Sequence, residues 1–97
     1  MAKVVYSARA LDHIDRAFQF LRDKNPSVTL SAVTAIQSAV ENLAAHPLVG
    51  RRVKGELREL IISYGHSGYV ALYRFVMSSD EVRILAIRHQ REIGFLP

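Results

Sequence analysis

The stretch from Leu57 to Phe95 constrains the chain most. It holds three apolar runs, at 57–64, 69–77 and 82–87, separated by Gly65-His66-Ser67-Gly68 and Ser78-Ser79-Asp80. Short runs rich in Val, Ile, Tyr and Leu, bounded by Gly, Ser and Asp, are strands. Links this short join only antiparallel neighbours. The stretch therefore predicts a three-stranded antiparallel meander. Its middle run, YVALYRFVM, is apolar on both alternating faces except at Arg74, so it should be central and covered.

Upstream, Lys3-Val4-Val5-Tyr6 is short and β-branched and predicts another strand. Ser7 can cap a helix from Ala8 to about Lys24, with Leu11, Ile14, Phe18 and Leu21 on one stripe. Asp12 and Asp15 near its start, and Arg22 and Lys24 near its end, suit the helix dipole. Asn25-Pro26 breaks this helix and starts another, which runs to about Ala45 with Leu30, Val33, Ile36 or Gln37, Val40 and Leu43 facing inward. His46-Pro47 ends it, because a residue before proline avoids helical angles. Leu48–Gly55, LVGRRVKG, is predicted as a basic loop. The order is β-α-α-β-β-β. This is an α+β fold, a helical hairpin packed on one face of a small, mainly antiparallel sheet, with residues 1–97 forming a single domain.

Bulk properties narrow the function classes. Without cysteine there is neither a disulfide nor a thiolate metal site. No histidine pair has metal-ligand spacing, so no metal and no cofactor is expected. No apolar run of membrane-spanning length or signal-peptide stretch occurs, and a soluble cytoplasmic chain is the expectation. Net charge is +4, and residues 51–97 carry eight Lys/Arg against five Asp/Glu. Ten of the 13 basic residues are arginine, which grips phosphate and carboxylate in bidentate fashion. A nucleic-acid backbone or an acidic protein segment would suit such a surface.

Three groups of residues could carry chemistry. Arg74 lies in an apolar run, and burying it costs several kcal/mol unless it is paired, for example with Glu59, or opens onto a groove. Arg88, His89, Arg91 and Glu92 follow the last strand. Histidine can act as acid or base, and arginines can hold a scissile phosphate. If the strand persists, Arg88 and His89 point to opposite faces. Arg51, Arg52, Lys54 and Arg58 form a second basic group.

The pattern resembles the RelE/ParE superfamily of toxins from bacterial type II toxin–antitoxin pairs, over essentially the whole chain. AAHPLVGRR looks like the family's His-Pro then Gly-Arg after the second helix. LRELIISYGHSGYVALYRF looks like its Leu-Arg-Glu-Leu and Tyr-Arg strands, and VRILAIRHQREIGF is similar to its closing strand with a His-x-Arg exit. The resemblance implies a growth-inhibiting toxin of a plasmid-stabilisation type module, held by a cognate antitoxin. RelE-type members cut mRNA on the ribosome, whereas ParE-type members poison DNA gyrase. The HP…GR…LREL…YR pattern looks more like the ParE side. Phe95 stands near where RelE-type members often carry a tyrosine, and LRELIIS replaces the lysine-rich strand of some nucleases. On the ParE-like reading Arg58, Arg74, Arg88 and Arg91 are target- or phosphate-binding cations and the chain is not an enzyme. On the nuclease alternative His89, Arg91 and Glu92 are catalytic, and an inert, antitoxin-binding relative is a further alternative. The antitoxin is implied to contact Arg74, Leu11 and Phe18, to cover the helical hairpin, and to have an exposed sheet edge open to strand addition.

Overall fold

In the computed structural model, which describes residues 1–24, 26–64 and 67–97, backbone pairing gathers five strands into one sheet of order β1-β5-β4-β3-β2. The elements in sequence are β1 (Lys3–Tyr6), α1 (Ala8–Lys24), α2 (Pro26–Ala45), β2 (Arg51–Lys54), β3 (Leu57–Tyr64), β4 (Ser67–Val76), the short 3-10 turn Met77–Ser79, and β5 (Glu81–His89). The meander is β3-β4-β5, antiparallel, with β4 in the centre as its apolar composition requires. The first strand joins the same sheet beside the last, parallel to it, with Val4 opposite Val82. No helix among the described residues is long and apolar enough to cross a membrane.

Both helices cover one face. Along β4, Tyr69, Ala71 and Tyr73 enter the core with Ile62 of β3, Val82, Ile84 and Ile87 of β5, and Ile36, Val40 and Leu43 of α2. Alternation places Val70, Leu72, Arg74 and Val76 on the opposite face, which carries no helix among the described residues. A bulge on β5 at Leu85 (Leu72 faces Ala86, Tyr73 faces Ile84) restores the alternation needed to keep both Ile84 and Ile87 inside. Ser7 caps α1 as expected: its Oγ accepts the Ala10 N–H at 3.0 Å and donates to Leu85 O at 3.0 Å. Asp80, at φ 50, completes the tight link into β5.

Four expectations need correction. Residues 51–54 form a strand, β2, paired antiparallel with β3 through Arg51–Glu59 and Arg52–Arg58. Gly55, at φ 55, supplies the left-handed turn between them, and an Arg51–Glu59 ion pair of 2.7 Å tightens the hairpin. The inward stripe of α1 is set by Ala10, His13 and Ala17 as well as the expected Ile14 and Phe18. Small residues let the helix approach β5, and this rotates Leu11 outward to 55% exposure. In α2 the same effect buries Ala32 and leaves Leu30 72% exposed. Finally, α1 has no acidic residue in its first turn, and Asp12 instead pairs with Arg16 at 3.2 Å. The capping role of Asn25 and the Gly65-His66 part of the turn lie outside the described residues.

Candidate functional site

The face of the sheet without helices carries a line of charge. Arg74 of β4 stands directly opposite Arg83 of β5, and Val5 of β1 is opposite Arg83 on its other side. Arg83 is held by Glu81, at 3.1 Å. Arg74 is half-buried, and among the described residues its side chain has no hydrogen bond and no ion pair. The expected Arg74–Glu59 pair does not form: Glu59 faces Leu72 across the strands, and its carboxylate is taken by Arg51. Like charges directly opposite one another in a sheet destabilise it. Two arginines kept in that relation suit an incoming anion.

The polar exit of β5 is built differently. The strand does persist through His89, so Arg88 lies opposite Val70 and His89 opposite Tyr69, on alternate faces. The His89 ring meets the edge of Tyr69 at 5.6 Å between centroids. Its Nδ1 accepts the Arg91 N–H at 3.1 Å, which leaves the ring proton on Nε2 in the neutral form. Glu92 caps the strand end, its Oε1 accepting the His89 N–H at 2.8 Å. Arg88 donates to the carbonyls of His89, Gln90 and Glu92 and lies 5.2 Å from the Phe95 ring centre. Arg88 is thus a clamp for the tail, and Phe95 is its lid. Arg88, His89 and Glu92 are thus tied to the local backbone, and Nδ1 is not available as a general base in this form.

Arg74 and His89 are not brought together. Five residues of β4 separate Arg74 from Tyr69, the partner of His89, which at about 3.3 Å per residue is about 16 Å along the strand. The two side chains also face opposite sides of the sheet. Arg58 belongs to neither group. Its Nη1 bridges the carbonyls of Leu48 and Gly50 at 3.1 and 2.9 Å and fixes the turn into β2. Tyr73 supports the same turn, its buried hydroxyl accepting the Gly50 N–H at 2.8 Å. Burial pushes the Tyr73 phenol upward, opposed by that bond and by Arg58.

On the helix side, a cavity of about 540 Å³ opens between α1 and the end of the sheet. Ala17, Phe20, Leu21, Tyr64, Tyr69 and Ile87 line it, and Arg16, Arg88 and Arg91 stand around it. Burial, and then Tyr64, push the Tyr69 phenol upward. Phe20, 63% exposed, reaches this cavity, whereas Phe18 packs against the core. Leu11 is exposed on the same helix. One wall is His13, 5% exposed: Nδ1 accepts the Ile87 N–H at 3.0 Å, so Nε2 carries the proton and donates to Leu96 O at 2.9 Å. Arg9 Nε donates to the same carbonyl at 2.8 Å. Sequence reasoning missed Arg83, His13 and Phe20. The Arg74–Arg83 relation depends on the link being four residues, 77–80, which pairs Val76 with Glu81; a turn of Ser78-Ser79-Asp80 alone would set Ile84 opposite Arg74.

A small sheet with a helical hairpin on one face and an arginine line on the other defines a class. The chain matches, over residues 4–94, the family described as ParE toxin of type II toxin-antitoxin system, parDE, and belongs to it. It is a type II toxin of the RelE/ParE superfamily. It is similar to Toxin RelE3 of Caulobacter vibrioides, with 37% identity over 92 residues, 95% of this chain and 98% of that one. Its fold is like that of a chain in the chromosomal ParDE TA system from P. aeruginosa (TM-score 0.75, 22% identity, 92% of this chain and 96% of that one). It is also like a chain in the intact E. coli RelBE toxin-antitoxin complex (TM-score 0.64, 12% identity, 95% and 100% covered).

Proposed function

We propose that this toxin inhibits growth by surface contact in the ParE manner, with DNA gyrase as its target and a cognate antitoxin as its neutralising partner in the cytoplasm. One observation carries this reading: the half-buried Arg74, unpaired among the described residues, lies about 16 Å from His89 and on the other face of the sheet. A nuclease needs acid, base and phosphate clamp around one bond. A contact inhibitor needs only an exposed cationic surface on a rigid sheet. The apolar cavity beside Phe20, with its arginine rim, supports an antitoxin segment that offers apolar and acidic side chains.

A second reading is a RelE-like mRNA endoribonuclease. The name of the Caulobacter relative favours it, as does the Arg74–Arg83 pair, which could hold a phosphodiester. Induced expression separates the two. Gyrase-linked DNA breaks with unchanged mRNA 5′ ends are expected. New mRNA 5′ ends without DNA damage would overturn the gyrase reading, and Arg74→Glu should abolish the growth defect under either one.

A further inference from the structure

The cavity beside α1 has a mouth unlike its floor. The floor is buried, formed by His13, Tyr69 and Ile87, and Phe20 and Leu21 close its sides. At about 540 Å³ it falls within the span of small-molecule sites, about 300–1,000 Å³. Its outer wall includes Leu96, whose carbonyl is fixed by His13 and Arg9. Among the described residues, the charged side chains that line it besides His are Arg16, Arg88 and Arg91 against Glu92. Arg16 is shared with Asp12, and Arg88 is turned to backbone carbonyls. The Arg91 guanidinium has no hydrogen bond and no ion pair among the described residues. This mouth selects an anion. The rim selects further, because the amides of Ile87, His89, Gln90, Arg91 and Glu92 are all committed within the chain. A peptide backbone laid along it would find none of these N–H groups free. A nucleobase could stack on an aromatic ring, but the Tyr64 hydroxyl already donates to Val28 O at 3.1 Å, and the walls leave the polar edge of a base unpaired. A hydrocarbon body with a single charged head makes neither demand.

We propose that the α1 cavity binds a small amphipathic anion of the size of a medium-chain fatty acid. Its hydrocarbon body lies on Phe20, Leu21, Tyr69 and Ile87, and its carboxylate meets Arg91 at the mouth. Bound in this way it also packs on Leu96 and holds the C-terminal segment in place. The site stands whichever target the toxin acts on. One consequence does rest on the reading above: antitoxin side chains that enter the same cavity compete with the anion.

The test titrates the whole chain, labelled with ¹⁵N, with octanoate below its micelle-forming concentration. Its counter-probes are octanol, octylammonium and adenosine monophosphate. Octanoate should shift the amides of Ala17, Phe20, Leu21, Ile87 and Leu96 and reach saturation. The Arg91→Glu variant should bind it at least about tenfold more weakly, while Arg52→Glu, with the same charge change on β2, binds as the parent does. Ala17→Leu, which fills the cavity, should abolish binding. Circular dichroism of each variant reports its fold, and if Ala17→Leu does not fold, the exposed Arg91 position decides. The proposal is overturned if octanoate does not saturate, if it shifts residues away from the cavity, if any counter-probe occupies the cavity equally well, or if Arg91→Glu binds as the parent does. Failure of the toxin reading appears separately, in the growth assay.

Discussion

The His13 bridge gives a sharp test of how the C-terminal segment is held. In the neutral tautomer the ring joins two distant parts of the chain, accepting from Ile87 in β5 and donating to Leu96. His13→Leu keeps much of the volume and removes both bonds. Ile87 is 4% exposed, so its N–H loses its partner where water does not reach, at a cost of about 1–3 kcal/mol. Leu96 is exposed, and its carbonyl can turn to solvent. A loss of about 2 kcal/mol in a domain of this size lowers Tm by about 8–16 °C. Two further variants divide the cost. The shorter amide of His13→Asn can still offer an acceptor to Ile87, whereas the longer one of His13→Gln reaches toward Leu96 and abandons the Ile87 amide. Thermal unfolding should therefore rank the parent first and the asparagine variant second, with the glutamine variant close to the leucine one. Exchange of the Ile87 amide should accelerate in the glutamine and leucine variants only. A leucine variant that melts with the parent, or a glutamine variant more stable than the asparagine one, would show that the Ile87 bond contributes little.

Other expectations follow from the same geometry. In Gly50→Ala, the new Cβ would lie 2.5 Å from the Tyr73 ring and hydroxyl and 2.9 Å from Glu59 O, so a loss of about 1–3 kcal/mol is expected in urea unfolding. Arg74→Thr relieves repulsion with Arg83 and should raise stability by a few tenths of a kcal/mol, roughly, while growth inhibition is lost. Reduced stability in that variant would mean that Arg74 is structural. Tyr6, Tyr69 and Tyr73 are all pushed above the ordinary phenol value of 10.0, chiefly by burial. The unfolded chain then loses these protons first, so their contribution is complete below about pH 10 and falls as the pH rises through the folded values. Tyr73→Phe should make the alkaline loss of stability less steep, as read from urea midpoints between about pH 9 and 11.

Strong local signals made most of the fold legible. The meander, the central place of β4 and the helical hairpin all follow from apolar runs and their breakers, and the Ser7 cap from a single hydroxyl. Weak local signals hid the rest. β2 contains only Val53 among basic residues and forms because β3 offers it a partner and Gly55 a turn. Alanine and histidine carry little hydrophobic weight, so the stripe of Ala10, His13 and Ala17 was invisible beside Leu11, which faces solvent. The site was legible one residue at a time. Arg74 stands out in its run, but its relation to Arg83 depends on register. Arg88 and Arg58 read as binding cations, yet their guanidiniums are occupied by backbone carbonyls. No pattern of residue types distinguishes an arginine that faces a partner from one that ties down its own loop.

The parallel pairing of β1 with β5 has a consequence for how the protein comes into being. Lys3 waits for Glu81, and His13 for Leu96, so the earliest segments made are completed only by the latest. Closing such a large loop is entropically costly and slows folding relative to local pairing. It also means that the Arg74–Arg83 line cannot exist on a nascent chain until β5 has emerged. A chain that stalls after β4 lacks the strand that lies between β1 and β4, so its sheet stays in two pieces.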